Sequence, residues 1–347
     1  MALPCAACRC SAGQRRTGGG GGDMSKHWKQ RPEGGGRFAL WLIRGIARHG
    51  GRVVGRALLY PITLYFLLVR APERAASRAY LARVLGRPAT LRDVARHIHT
   101  FASTILDRVY MLCGQMQRFR VDISGLDQLH TQMDRGRGVL IFGSHLGSFD
   151  ALRVLATERP DVQVKVVLDK AHNRAMTDLL GALNPQLAAN IIDAGMDATS
   201  IVMAIKEATD AGALVALLID RPREGDPALP AMFLGRNAMF PTSPWLIAAA
   251  LKVPVVLAFG LYHGGNHYEL AFETFSEGLD VPHRQRAPML AVLMRDYAAR
   301  LEHYTCYAPY NWFNFYDFWN THHADVPHPA VDADTAVQRR TAMRRTA

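Results

Sequence analysis

Three things are scarce in this 347-residue chain: cysteine, long uninterrupted apolar runs and, over one segment, acidic residues. Cysteine is the first: of five, Cys5, Cys8 and Cys10 share one short stretch, while Cys113 and Cys306 stand alone. A disulfide framework is therefore not expected, and a reducing compartment is. The spacing in "CAACRC" suits metal ligation, but no second C-x-x-C or His pair follows it, so no metal site is expected. An uninterrupted apolar run of the roughly 20 residues needed to span a bilayer is also missing, which argues against a polytopic membrane protein. Acidic residues are the third. Between Lys26 and Arg96 there are 15 Lys or Arg against Glu33, Glu73 and Asp93, which accounts for the whole net charge of +11.

A basic segment suits nucleic acid, an anionic membrane surface or an acidic protein, and charge alone does not choose among them. What lies between the charges does. Arg44, Arg48, Arg52 and Arg56 recur every four residues, on one helical face, with Leu40, Trp41, Ile43, Ile46 and Val54 mostly off it. This is a basic amphipathic helix, followed by a 13-residue apolar stretch, Ala57 to Val69, that contains Pro61. Several Lys or Arg at about 1 kcal/mol each near anionic lipid, with Trp41, Phe66 and Leu67 inserted, would hold the protein at a membrane surface. The alternative is that the helix packs on the rest of the protein with its arginines solvated. Long aliphatics interleave with the arginines and no groove-reading or base-stacking motif is present, so a nucleic-acid partner is not expected.

The texture changes along the chain. Residues 1–23 end in a glycine run, lack apolar periodicity and read as disordered or as preceding the true start at Met24. Residues 24–70 are expected to form a membrane-associating segment, 71–320 the main folded domain and 321–347 a flexible basic tail. A helical stretch breaks at Gly86-Arg87-Pro88. Thereafter "GVLIFGS", "VQVKVVLD", "NIIDAG", "LVALLID" and "VPVVLAFGLY" are β-branched runs bounded by turn residues. Helical patterns at 171–183 and 199–211 lie between them. Alternation of this kind predicts an α/β fold, a mostly parallel sheet with flanking helices. "YHGGNH" predicts a hairpin into "HYELAFETF" and thus an antiparallel edge. A closing helix is expected over 285–302.

The chemistry gathers in "VLIFGSHLGSFD". His145 lies just past a strand, at the end where ligands collect in parallel α/β sheets. Asp150 is five residues on, so the two side chains meet only if the backbone turns at Gly147, with Ser148 or a neighbour capping the next helix. A carboxylate on one ring nitrogen would fix the tautomer and leave the other nitrogen to remove a proton. Spacing alone is equally met by a structural histidine with Asp150 capping a helix. Ser144 and Ser148 do not form a G-x-S-x-G elbow, which favours direct attack by a substrate hydroxyl. Asp220 and Arg221 end "LVALLID" on the same sheet edge. Arg221, Arg223 and Arg236 suit phosphate groups, or else surface ion pairs with Asp220 or Glu224.

"GSHLGSFD" resembles the H-x4-D signature of the lysophospholipid acyltransferase superfamily. The likeness continues through "LIDRPREGDPALPAMFLGRNAMFPTSPWLIAAALKVPVVLAF", which is similar to the branch containing the late acyltransferases of bacterial lipid A. "MSKHWKQRPEGGGRFALWLI" and "PYNWFNFYDFW" resemble a subgroup associated with aryl-polyene or other glycolipid pathways. The resemblance implies a glycerol-3-phosphate acyltransferase-like fold and an O-acyltransferase in which His145 is the general base and Asp150 its orienting carboxylate. Gly147, Ser148, Asp220, Arg221 and Arg236 would bind substrate, with backbone amides near Gly147 to Phe149 stabilising an oxyanion. It further implies acyl carrier protein or a CoA thioester as donor, a lipid or glycolipid acceptor, no cofactor beyond that co-substrate, and the cytoplasmic face of a bacterial inner membrane. A thioesterase acting on the same lipids, or a basic scaffold, are the competing readings. The aromatic cluster from Trp312 to Trp319 would line an acyl groove or pack the core.

Overall fold

The computed structural model of the protein describes residues 51–153, 162–171, 174–223 and 225–319. The expectations for residues 1–23, for Met24, for the arginines at 44 and 48, and for the tail after residue 320 lie outside these.

The chain enters through α1 (Gly51–Val69), α2 (Ala71–Val84) and α3 (Leu91–Leu112). Pro72 opens α2 at a position where a missing N–H costs nothing. The break at Gly86-Arg87-Pro88 is present, and α3 restarts on a capping box in which Thr90 and Asp93 satisfy each other's backbone amides. The alternating elements are next: β1 (Arg120–Ser124), α4 (Leu126–Met133), β2 (Val139–Gly143), β3 (Val164–Leu168), α5 (Arg174–Leu183), α6 (Pro185–Ala189), β4 (Ile191–Asp193), α7 (Ala198–Asp210) and β5 (Leu214–Leu218). Then come β6 (Ala228–Phe233), β7 (Arg236–Pro241), α8 (Ser243–Leu251), β8 (Val255–Gly264), β9 (His267–Ser276) and α9 (Arg286–Tyr307).

Seven strands form one sheet in the order β1-β9-β8-β2-β5-β3-β4. The five from β8 to β4 run parallel; β9 is antiparallel to β8, and β1 is parallel to β9. The α/β class and the β8–β9 hairpin agree with the sequence reading. The hairpin is not the edge, because β1 pairs outside it. The strand "RVDIS" shows only alternate half-buried positions and carries no continuous apolar run to announce it. Central strands are buried on both faces, as parallel sheets require. Leu140 and Phe142 of β2 face one core with Val215, Leu257, Trp245, Tyr297 and Trp312. Val139 and Ile141 face the other, with Leu214, Ala216, Leu129 and Tyr268. A separate β6–β7 hairpin turns at Leu234-Gly235, both at positive φ, as a two-residue turn matched to strand twist demands.

In α1 the structure departs from the sequence reading in two ways. The helix is continuous through Pro61 for 19 residues, so the apolar stretch does not begin afresh at Ala57. Moreover Arg52 and Arg56 do not face outward. Arg52 grips the fully buried Asp107 of α3 with two hydrogen bonds of 2.8 Å, and Arg56 lies 3.3 Å from the same carboxylate, which also accepts from Tyr268 at 3.0 Å. The outward face is apolar instead: Val53, Tyr60, Leu64, Tyr65, Leu68 and Val69 are more than half exposed. By length and composition the helix is able to cross a membrane.

Candidate active site

Register builds the site. Strands β2 and β5 are parallel neighbours, pairing Val139 with Leu214 and Gly143 with Leu218. His145 lies two residues beyond Gly143 and Asp220 two residues beyond Leu218, so the loops leave the sheet side by side. Their side chains meet, His145 Nδ1 to Asp220 Oδ1, at 2.7 Å. Asp220 is completely buried, while the imidazole is 40% exposed. The other oxygen of Asp220 accepts from the indole Nε1–H of Trp312 at 3.1 Å, and Arg221 Nε lies 3.5 Å from it. Burial acts to raise the Asp220 pKa, but the charge of His145 and its hydrogen bond, followed by Arg221, outweigh it and hold the carboxyl well below the usual range. An ionised carboxylate only accepts, so in the neutral ring the hydrogen sits on Nδ1 and the lone pair of the imidazole on Nε2. The result is a partly exposed imidazole whose Nδ1 is held by a buried, ionised carboxylate.

The carboxylate on Nδ1 is therefore Asp220, not Asp150 as the H-x4-D spacing suggested. Gly147 does turn the chain, with φ +64°. The turn leads into a short 3₁₀ segment, Phe149–Arg153, that carries Asp150 to the guanidinium of Arg108 on α3. Two of the amides expected to face an oxyanion, those of Gly147 and Ser148, are committed elsewhere. Gly147 N–H donates to Asn311 O at 2.8 Å and Ser148 N–H to Gly260 O at 2.7 Å. Gly147 and Ser148 are buried, and their role in the structure is to fasten the His145 loop to β8 and to the C-terminal segment. A Cβ on Gly147 would lie 1.8 Å from the Gly260 carbonyl oxygen, so no other residue fits there without moving backbone.

The three candidate phosphate ligands separate in space. Arg221 is at the site, but it donates to the carbonyl of Phe313 and lies over the Tyr316 ring at 5.4 Å. Burial first, then opposing effects of Arg221 and Asp220, leave the Tyr316 phenol pushed up to about 12. Arg223 is a surface ion pair, bonded to Ala194 O at 2.6 Å and to Asp226 at 3.3 Å. Arg236 is exposed at the tip of the β6–β7 hairpin. Its charge is felt by Arg83, whose pKa is lowered by burial first and by Arg236 second.

The aromatic C-terminal segment surrounds this loop. Leu146 forms an antiparallel bridge with Trp312, and Phe313 N–H donates to His145 O at 2.9 Å. Trp312, Phe313, Phe318 and Trp319 are buried, so this cluster packs the core, but Trp312 also reaches the site carboxylate. Sequence reading missed Trp312 as a polar partner and missed Asp220 as the partner of His145. The second had a signal: "LIFGSH" and "ALLID" place each polar residue two positions past the final strand residue. Which strands are neighbours is what the sequence withheld.

Comparison with curated proteins gives no match. Residues 70–321, well over half of the chain, match the family of bacterial lipid A biosynthesis acyltransferases. A mostly parallel sheet that delivers a histidine and a buried carboxylate to one edge, over the stretch that the family match spans, leads to one conclusion: the chain belongs to the bacterial lipid A biosynthesis acyltransferase family and is an acyltransferase.

Proposed function

We propose that the protein is an O-acyltransferase that moves a fatty acyl chain from a thioester, on acyl carrier protein or CoA, to a hydroxyl of a lipid or glycolipid acceptor, with His145 as general base. The observation that carries this is the 2.7 Å contact between the exposed ring of His145 and the buried, ionised Asp220. It leaves the Nε2 lone pair to accept the hydroxyl proton as the acceptor oxygen attacks the thioester carbon. Collapse of the tetrahedral intermediate breaks the C–S bond, and the proton held on Nε2 passes to the departing sulfur. No acyl-enzyme is formed. General-base assistance contributes about 10²–10⁴-fold, and positioning of the two substrates supplies much of the rest.

The acceptor is a lipid, and α1 supports a membrane-bound encounter with it. Its outward face is apolar while its arginines turn inward to Asp107, so the attraction to a bilayer comes from Leu64, Tyr65 and Leu68 rather than from Arg52 and Arg56. We place the protein on the cytoplasmic side of a bacterial inner membrane, where acyl thioesters are made. Labelled acyl–acyl carrier protein and total membrane lipid, with wild type, His145→Ala, Asp220→Asn and Asp150→Ala compared, test the reaction. Retained transfer in His145→Ala would remove the general-base reading, and thioester hydrolysis unchanged by omission of lipid would identify a hydrolase instead. Replacing Leu64 and Leu68 by Asp is expected to lower binding to neutral vesicles at least tenfold; unchanged binding would place the membrane contact elsewhere.

A further inference from the structure

We propose that Trp312 is a positioning residue for acyl transfer, holding Asp220 so that Asp220 holds His145, and that His97 holds Trp312 in turn. The proposal rests on His145 being the general base. Two pairs of hydrogen bonds, joined through the covalent frame of Trp312, run from α2 to the ring of His145. Ser77 Oγ is 2.8 Å from His97 Nδ1, and His97 Nε2 is 3.0 Å from the carbonyl oxygen of Trp312. A carbonyl only accepts, so Nε2 carries the hydrogen and Nδ1 accepts from the Ser77 hydroxyl. From the same Trp312, Nε1–H donates to Asp220 Oδ2 at 3.1 Å, and Asp220 Oδ1 receives His145 Nδ1–H at 2.7 Å. Backbone bonds repeat the connection, since Trp312 is bridged to Leu146 and Phe313 donates to the His145 carbonyl.

Packing alone does not account for this arrangement. A buried indole can do without a polar partner: Nε1 of Trp245, in the same core, has none among the described residues. Trp319 gives its hydrogen to a backbone carbonyl, that of Phe233, at 3.2 Å. Trp312 alone of these three is aimed at a side-chain carboxylate. Edge-on contacts with Tyr80, Phe233 and Phe318, at centroid distances of 5.1, 5.1 and 4.9 Å, hold its plane, and it is fully buried. His97 is equally buried, stacked on Phe315 at 4.8 Å, and burial lowers its pKa to about 4, so it is a neutral donor at working pH. Asp220 is faced by His145 from the β2 loop, Arg221 from its own loop, Trp312 and Tyr316 from the C-terminal segment and Tyr297 from α9. With the indole donor gone, its negative charge is balanced by His145 and Arg221 alone, and the protonated imidazole is favoured more strongly.

The test compares Trp312→Phe, which keeps the aromatic packing and removes the N–H, with wild type in the same acyl-transfer assay. We expect kcat to fall about 10-fold with the donor KM unchanged, and the acid limb of the pH profile to move up by about half a unit to one unit. The His145 titration followed by NMR in the substrate-free protein should move the same way. His97→Gln can still donate to the Trp312 carbonyl and should keep most of the activity, whereas His97→Phe should reproduce Trp312→Phe. That pair decides the question if Trp312→Phe does not fold. Wild-type kcat and an unmoved acid limb in Trp312→Phe, or equal activity of the two His97 variants, would overturn the proposal. If His145→Ala also retains transfer, the general-base reading has failed; if it is inactive while these variants behave as wild type, only the positioning role is lost.

Discussion

Asp220→Asn is nearly isosteric, and the structure determines how the new amide must sit. Trp312 Nε1–H only donates, and Arg221 Nε, also a donor, lies 3.5 Å from the same Oδ2 position, so the amide carbonyl turns toward them. Its NH2 then faces His145 Nδ1, which must accept. The ring hydrogen moves to Nε2, and on the proposed mechanism the lone pair that would take the proton is lost although the geometry is intact. In serine proteases the same kind of tautomer error, from Asp to Asn, costs about 10⁴-fold in kcat, or about 5 kcal/mol of transition-state stabilisation. A loss of that size is expected here, with donor KM little changed, in single-turnover transfer from a labelled thioester. The informative contrast is Asp150→Asn, which disturbs the Arg108 pair and leaves the Asp220 bond in place. More than a tenth of wild-type activity in Asp220→Asn, beside an inactive Asp150→Asn, would return the orienting role to Asp150 and refute the argument.

Three further outcomes are expected. His97 has a pKa of about 4 when folded, below its unfolded value, so the unfolded chain binds the extra proton first. Stability is then fully present above about pH 6.5 and falls as pH drops toward 4, by on the order of 3 kcal/mol, and chemical denaturation should show that slope vanish in His97→Gln. Gly147→Ala combines a left-handed backbone with a Cβ 1.8 Å from the Gly260 oxygen, and should destabilise by about 3 kcal/mol or more, read as loss of soluble folded protein. Asp107→Asn leaves Arg52 and Arg56 without their shared counter-charge. Because both guanidinium groups retain some solvent contact, a cost of about 2 kcal/mol is expected in thermal melts, partly recovered when both arginines are also changed to Gln.

The parallel strands were readable because a strand buried on both faces must be apolar throughout, as "VLIFG" and "LVALL" are. Strand β1 escaped notice for the opposite reason: "RVDIS" buries only alternate residues, and only partly, at the edge of the sheet. The loop after β2 was recognisable as a site, but its pairing was not. Sequence distance favoured Asp150, five residues from His145, whereas the parallel register favours Asp220, 75 residues away. Adjacency of β2 and β5 is a tertiary fact with no local signature. Similarly, arginines spaced four apart mark one helical face but not what that face meets. Asp107, the buried carboxylate that claims Arg52 and Arg56, lies two helices further along.

The C-terminal position of the aromatic segment also sets the order in which the site is completed during synthesis. A nascent chain that ends before Asn311 has already made β2, β5, His145 and Asp220. It still has an amide at Gly147, a carbonyl at His145 and a carboxylate oxygen at Asp220 with their later partners unmade. The loop that bears His145 therefore gains its full set of partners only when almost the whole folded domain has been translated. A ribosome stalled shortly before that point would carry a sheet whose His145 loop is held by Asp220 and by Gly260 of β8 alone, without the second fastening that Asn311, Trp312 and Phe313 supply.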